Sequence, residues 1–223
     1  MAAPEELTPG LWRWTVPHPE WTHDRGGVGG WEKEVNSYAL VSPERLVLID
    51  PLVTSADLWA WLDDRARGGV DVLLTMAWHE RSAHELKERL GASVWGSAET
   101  REGVEDLGIR LVKDGDELPG GVRAVAPLPN DSDEDETAYW LPEQGAIAVG
   151  DVLVGTPEGL RIWWDQTDDE HRARYRKTVR PAVRRLLELP VERVLTTHGD
   201  PVLEGGRAAL ESALAAPTWQ RDS

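Results

Sequence analysis

Residues 71–84 read DVLLTMAWHERSAH, and the reading of this stretch decides the fold. Val72, Leu73 and Leu74 form a short β-branched and aliphatic run of the kind that makes a buried strand, and the run stops at Thr75. Glu80, Ser82 and the spaced Ala83, Leu86 and Leu90 then begin a helical pattern, expected over about 80–90. Strand, tight turn and helix is the unit of open sheets with helices on their faces, and such sheets keep their chemistry at strand ends. The polar side chains after Thr75 are therefore candidate site residues.

The units around this one repeat the pattern. Upstream, NSYALV at 36–41 and RLVLID at 45–50 are two apolar runs separated by Ser42, Pro43 and Glu44, a hairpin signal. Asp50-Pro51 stops the second run, and Ser55 caps a helix expected through about Arg67 with Leu58, Trp59 and Leu62 on its inner face. Further upstream, LWRWTV at 11–16 alternates as an opening strand. Downstream come strand 93–95, helix 99–107 and strand 109–112, an alternation that implies parallel pairing. Beyond Pro119, the segments 122–126, 137–141 and 146–149 read as strands without helices between them, so antiparallel pairing is expected there. A basic amphipathic stretch over 169–189 is expected to break or kink before Pro181. Strand 191–196 and a helix over 206–215 follow.

Composition narrows the functional classes. The 223 residues suit one domain, 1–223, in two halves of roughly 7–115 and 116–215. A net charge of −16 argues against nucleic acid and anionic lipid as partners. Zero cysteines exclude disulfides, thiolate metal sites and a Cys nucleophile. With no charged-then-apolar leader and no run of about 18 apolar residues, neither a signal peptide nor a membrane span is expected, and a cytoplasmic location fits. The chain holds 12 Trp and no Phe, so Trp supplies most of the aromatic packing.

Some polar clusters have bland readings. GGVGG at 26–30 neither follows a strand directly nor opens a helix, so it reads as a loop rather than a phosphate cradle. His18, His23 and Asp24 beside it read as loop polars. The acidic run NDSDEDE at 130–136 lacks the glycine and the distant Glu of a calcium loop and reads as a solvated turn. There is no G-x-S-x-G nucleophile elbow.

The order of features resembles the metallo-β-lactamase superfamily over about residues 7–212. The resemblance rests on NSYALVSPERLVLIDP at 36–51, LLT and its polar loop at 73–81, AYWLPEQGAIAVGDVLVG at 138–155 and LTTHGDPV at 195–202. It implies a four-layer αββα sandwich, α+β/α/β in class, with a metal site at the strand ends between the halves. The family's His-x-His-x-Asp-His signature falls on Met76, Trp78, Glu80 and Arg81, the next family histidine on Asn130, the bridging aspartate on Asp151 and the last histidine on His198.

Sorted by metal, this match is unequal. The three histidine positions of one ion carry Met76, Trp78 and Asn130, a thioether, an indole and an amide, so no dinuclear zinc centre is expected. The other set reads Glu80, Arg81, Asp151 and His198, leaving Glu80, Asp151 and His198 as ligands for at most one divalent metal, zinc before others. A slip of one or two positions brings His79 into the pocket, and His84 lies one helical turn further on. Arg81 instead offers a permanent cation able to pair with Glu80 or Asp151 and replace the ion.

Three functions stay open. The first is a hydrolase-like enzyme in which one metal activates water against an ester, amide or lactone, with His79 assisting Glu80, Asp151 and His198. The second is a metal-free protein of the same fold that binds a small molecule through Trp78, Arg81, Asn130, Trp163 and Trp164. The third is metal-independent acid-base chemistry by His198 with Asp151 or Glu80.

Overall fold

The protein is described from a computed structural model over residues 3–22, 32–130, 135–164 and 168–219. The first sheet has seven strands in chain order. β1 (Glu5–Thr8), β2 (Leu11–Pro17), β3 (Glu34–Val41) and β4 (Leu46–Ile49) pair antiparallel, and β5 (Val70–Leu73), β6 (Ser93–Gly96) and β7 (Arg110–Leu111) continue in parallel from β4. The helices α1 (Ala56–Arg65), α2 (Ala83–Leu90) and α3 (Ala98–Gly103) follow β4, β5 and β6. Parallel neighbours need such crossovers, so the alternation in the sequence becomes parallel pairing here.

The second sheet contains β8 (Arg123–Pro129), β9 (Asp135–Leu141), β10 (Ala146–Val149) and β13 (Arg193–Thr196) in the spatial order β13-β10-β9-β8. β8, β9 and β10 pair antiparallel, as expected, whereas β13 returns parallel to β10 after the intervening helical segment. A hairpin of β11 (Leu153–Thr156) and β12 (Gly159–Ile162) stands apart. It and β1 have no counterpart in the sequence reading, being four residues each and weakly patterned.

The period of two along the strands explains the layering. In β4, Leu46 and Leu48 face α1 and α2, while Val47 and Ile49 face the other sheet. In β10, Ile147 and Val149 pack with Leu210 and Ala213 of α6 (Gly206–Ala215), and Ala146 and Ala148 face the first sheet. Tyr38, Leu73, Tyr139, Leu141 and Leu195 join them between the sheets. The result is the αββα sandwich.

Helix ends depart from the periodicity. The helix expected from Glu80 starts instead as a 3-10 turn, Ala77–His79, with α2 beginning at Ala83. The irregularity expected in 169–189 before Pro181 is a π turn within a continuous helical run. The stretch runs as α4 (Asp169–Arg174), a π-helical turn Tyr175–Val179, α5 (Arg180–Arg185) and a 3-10 turn Leu186–Glu188. Pro181 comes just after that π turn, the kind of local widening that accommodates a proline ring inside a helical run.

Candidate metal centre

The site is built from the ends of four strands, β4, β5, β10 and β13. β4 ends at Asp50, whose φ of 45° is unusual for a residue with a side chain. Its buried carboxylate is held on several sides: Thr75 donates its N–H to Oδ1 at 2.9 Å and its hydroxyl to Oδ2 at 2.7 Å, and His79 Nδ1 lies 2.9 Å from Oδ2. Thr197 Oγ1 approaches the same oxygen at 3.4 Å. Asp50 therefore orients His79 through Nδ1 and turns Nε2 towards the second sheet.

There Nε2 of His79 meets Asp151 Oδ1 at 3.3 Å, in the turn just after β10. His198 Nε2, just after β13, lies 3.3 Å from the same oxygen. Asn36 fastens the His198 turn by donating Nδ2 to Thr196 O at 2.9 Å and Gly199 O at 2.8 Å. Gly199 has φ 71°, and a Cβ there would fall 1.8 Å from Gly155 O, so only glycine allows the loop after β13 to pass this close to β11.

Burial alone would lower the pKa of His79, but Asp50 and Asp151 on either side outweigh it and raise it to about 9. Burial likewise works against ionised Asp151, yet His79 and His198 hold it well below the usual carboxylate range. Asp50 is lowered in the same way, chiefly by His79 overcoming burial. Burial lowers His198, and the attraction of Asp151 does not fully offset it. At neutral pH the cluster thus holds an imidazolium between two carboxylates, with a neutral His198 beside them.

His79, Asp151 and His198 each present one donor atom, and these atoms lie within 4.8 Å of one another. Bonds of about 2.0–2.1 Å in a tetrahedron would space donors about 3.3–3.4 Å apart. The two 3.3 Å separations to Asp151 match that spacing, and Asp151 Oδ1 is buried with no aligned hydrogen bond to satisfy it. His79 is further oriented by a carboxylate through its other nitrogen, the usual support of a metal-binding imidazole. Two imidazoles and a carboxylate are a chemically sound donor set for one divalent ion.

The other sequence-derived residues are placed differently. Glu80 does not join Asp151 and His198: the 3-10 turn at 77–79 rotates His79 inward and leaves Glu80 facing His84, 3.8 Å away on the open side. Arg81, with φ 41°, pairs with neither Glu80 nor Asp151. Its Nη1 instead donates to Asp50 O at 2.7 Å and Asn36 O at 3.1 Å, tying β3 to β4. Trp163 stacks edge-on to His198 with ring centroids 6.1 Å apart. Trp164, adjacent on an extended chain and so pointing the other way, is buried in the helix-side core and donates Nε1 to His171 O. Trp78 is 71% exposed, whereas Asn130 is buried with Nδ2 3.8 Å from Met76 Sδ. His23, Asp24, the glycine cluster at 26–30 and residues 131–134 of the acidic loop lie outside the described residues.

A family model described as the metallo-beta-lactamase superfamily matches residues 30–217. The chain belongs to the metallo-β-lactamase superfamily. Solved structures of the same fold include a metallo-beta-lactamase family protein from Thermus thermophilus, 19% identical with a TM-score of 0.63, covering 94% of this chain and 80% of that one. A metallo beta lactamase from Hirschia baltica is 18% identical at a TM-score of 0.66, covering 96% of each chain. A flavo di-iron protein from Thermotoga maritima is 16% identical at a TM-score of 0.66, over 96% of this chain and 60% of that one. No curated protein matches the chain. Among the described residues of this superfamily member, His79, Asp151 and His198 form the one cluster of three or more such donors.

Asp50 and Glu136 play larger parts at the site than the sequence suggested. The signal for Asp50 was present: an ionisable residue closing an unbroken apolar strand, Leu46 to Ile49, has to be paid for by partners. Glu136 hid inside an acidic run that reads as solvated.

Proposed function

We propose that this chain is a metallo-β-lactamase-fold hydrolase-like protein with a single-metal centre on His79, Asp151 and His198. The observation that supports it most is the convergence of these three donors within 4.8 Å, with His79 oriented from behind by Asp50. The chemistry one divalent ion supplies in such a setting is Lewis-acid activation of water and of a scissile carbonyl. The chain's own contributions are separate. Asp50 fixes the His79 ring, and His79 gives up its Nε2 proton when it becomes a ligand. Asp151 places a negative oxygen between the two imidazoles. Trp163 covers one edge of His198 and offers an apolar wall to a small ester, amide or lactone.

The test is the metal content of protein purified without added metal or chelator, followed by zinc titration. The reading expects about one equivalent at the centre and loss of binding in His198→Ala. No bound zinc, iron or manganese, together with no uptake on titration, sinks it.

A metal-free, small-molecule-binding protein is the second reading. What favours it is that Arg81, a guanidinium within reach of the Asp50 and Asp151 fields, and the His79 imidazolium together balance the charge of the two carboxylates. It predicts ligand binding unaffected by chelators.

A further inference from the structure

We propose that Glu136 is the positioning residue of the centre: its buried carboxyl group is a strut that sets the turn carrying Asp151. The proposal rests on the single-metal reading for its functional consequence, but the strut itself is a matter of hydrogen bonds.

Glu136 lies at the start of β9 and is 1% exposed. Its Oε1 accepts from the backbone N–H of Asp151 and of Val152, each at 2.9 Å. One oxygen therefore takes both N–H groups at the turn that aims the Asp151 side chain at His79 and His198. Oε2 is buried without a hydrogen-bond partner, and a Cβ on Gly150 would come within 2.7 Å of it and 2.9 Å of Thr75 Oγ1. Gly150 is thus wedged between Glu136 and Thr75, and the turn has little freedom to shift. Asn130 lies on the other side of Glu136, with its amide nitrogen 3.8 Å from Met76 Sδ.

A carboxyl group is an expensive thing to bury, and a neutral hydrophobe would fill the space more cheaply. Retaining it makes sense where its acceptor oxygen sets a geometry. Support of this kind behind a metal ligand is commonly worth 10–100-fold in metal affinity.

The experiment compares the full-length protein with Glu136→Ala and Glu136→Gln. Zinc affinity is read by calorimetry, and hydrogen exchange of the Asp151 and Val152 amides by NMR in chelator. Gln keeps the acceptor oxygen and the bulk, so Glu136→Gln is expected to keep affinity within about threefold and to keep both amides protected. Glu136→Ala is expected to lose about 10–100-fold in affinity and to expose both amides to exchange, at a temperature where circular dichroism shows it folded. A folded Glu136→Ala protein that binds zinc as tightly as the parent overturns the proposal. If the parent binds no zinc, the single-metal reading fails by itself, and the amides still decide on the strut: unchanged protection in Glu136→Ala removes it.

Discussion

The His79 imidazolium makes the metal-free protein sensitive to alkali in a way that can be worked out. Its pKa rises from 6.5 to about 9 on folding. At about 1.36 kcal/mol per pH unit, that distance corresponds to roughly 3 kcal/mol, the net of burial against the attraction of Asp50 and Asp151. A group whose pKa is raised by folding stabilises most below its unfolded value, so the contribution is complete below pH 6.5 and disappears as pH climbs through 9. Asp50 and Asp151, both lowered, report the same coupling from the acid side, lost as pH falls below the ordinary carboxylate range, and are not added to it. In chelator-treated protein His79 should therefore account for about 3 kcal/mol of the stability lost between pH 6 and pH 9.5. For a chain of this size that is on the order of 6–12 °C in Tm. The assay is thermal and urea unfolding at pH 6, 8 and 9.5, for the parent and for His79→Gln. The variant should be less stable at pH 6 and show a flatter profile. Parallel profiles for the two proteins would refute the imidazolium assignment. With stoichiometric zinc the dependence should reverse over the same range, because the ligand form of His79 has lost its Nε2 proton.

Other consequences are simpler to state. Glu136, raised to about 8 by burial and then by Asp151, also makes the protein less stable as pH rises through 8, so Glu136→Gln should gain stability relative to the parent from pH 5 to pH 8.5 in urea melts. Gly199→Ala puts a Cβ 1.8 Å from Gly155 O at a left-handed backbone, and should cost about 3 kcal/mol or more and unseat His198, seen as a lower Tm together with weaker zinc uptake. Glu80→Gln should leave zinc affinity within about twofold, since Glu80 faces His84 rather than the cluster. A tenfold loss of affinity there would return Glu80 to the centre.

The fold was legible because buried strands leave continuous apolar runs that few other structures produce. Val47 and Leu48 serve opposite faces of one strand, so both had to be apolar, and the run announces a sheet covered on each side. Asp151 and His198 were legible because each follows such a run directly. The choice between Glu80 and His79 was not, since it turns on whether Ala77–His79 winds as a 3-10 turn or as the first turn of α2. Those alternatives differ by a rotation of about one residue around the helix axis, and local propensity does not separate them. Trp163 and Trp164 likewise look equivalent in sequence, and only the extended backbone assigns one to the site and the other to the core.

The register of the second sheet carries one more consequence. Val149 pairs with Thr196 across parallel β10 and β13, and Asp151 and His198 each stand two residues beyond that pair. His79 arrives from the other sheet, where Asp50 holds it at 2.9 Å, and its 3.3 Å contact with Asp151 bridges one half of the chain to the other. The centre is therefore a coincidence detector for assembly. Neither half owns it, and it exists only once the two sheets have met face to face in register. An optical ion such as cobalt(II) held there would report the docking of the halves as an event distinct from the formation of either sheet.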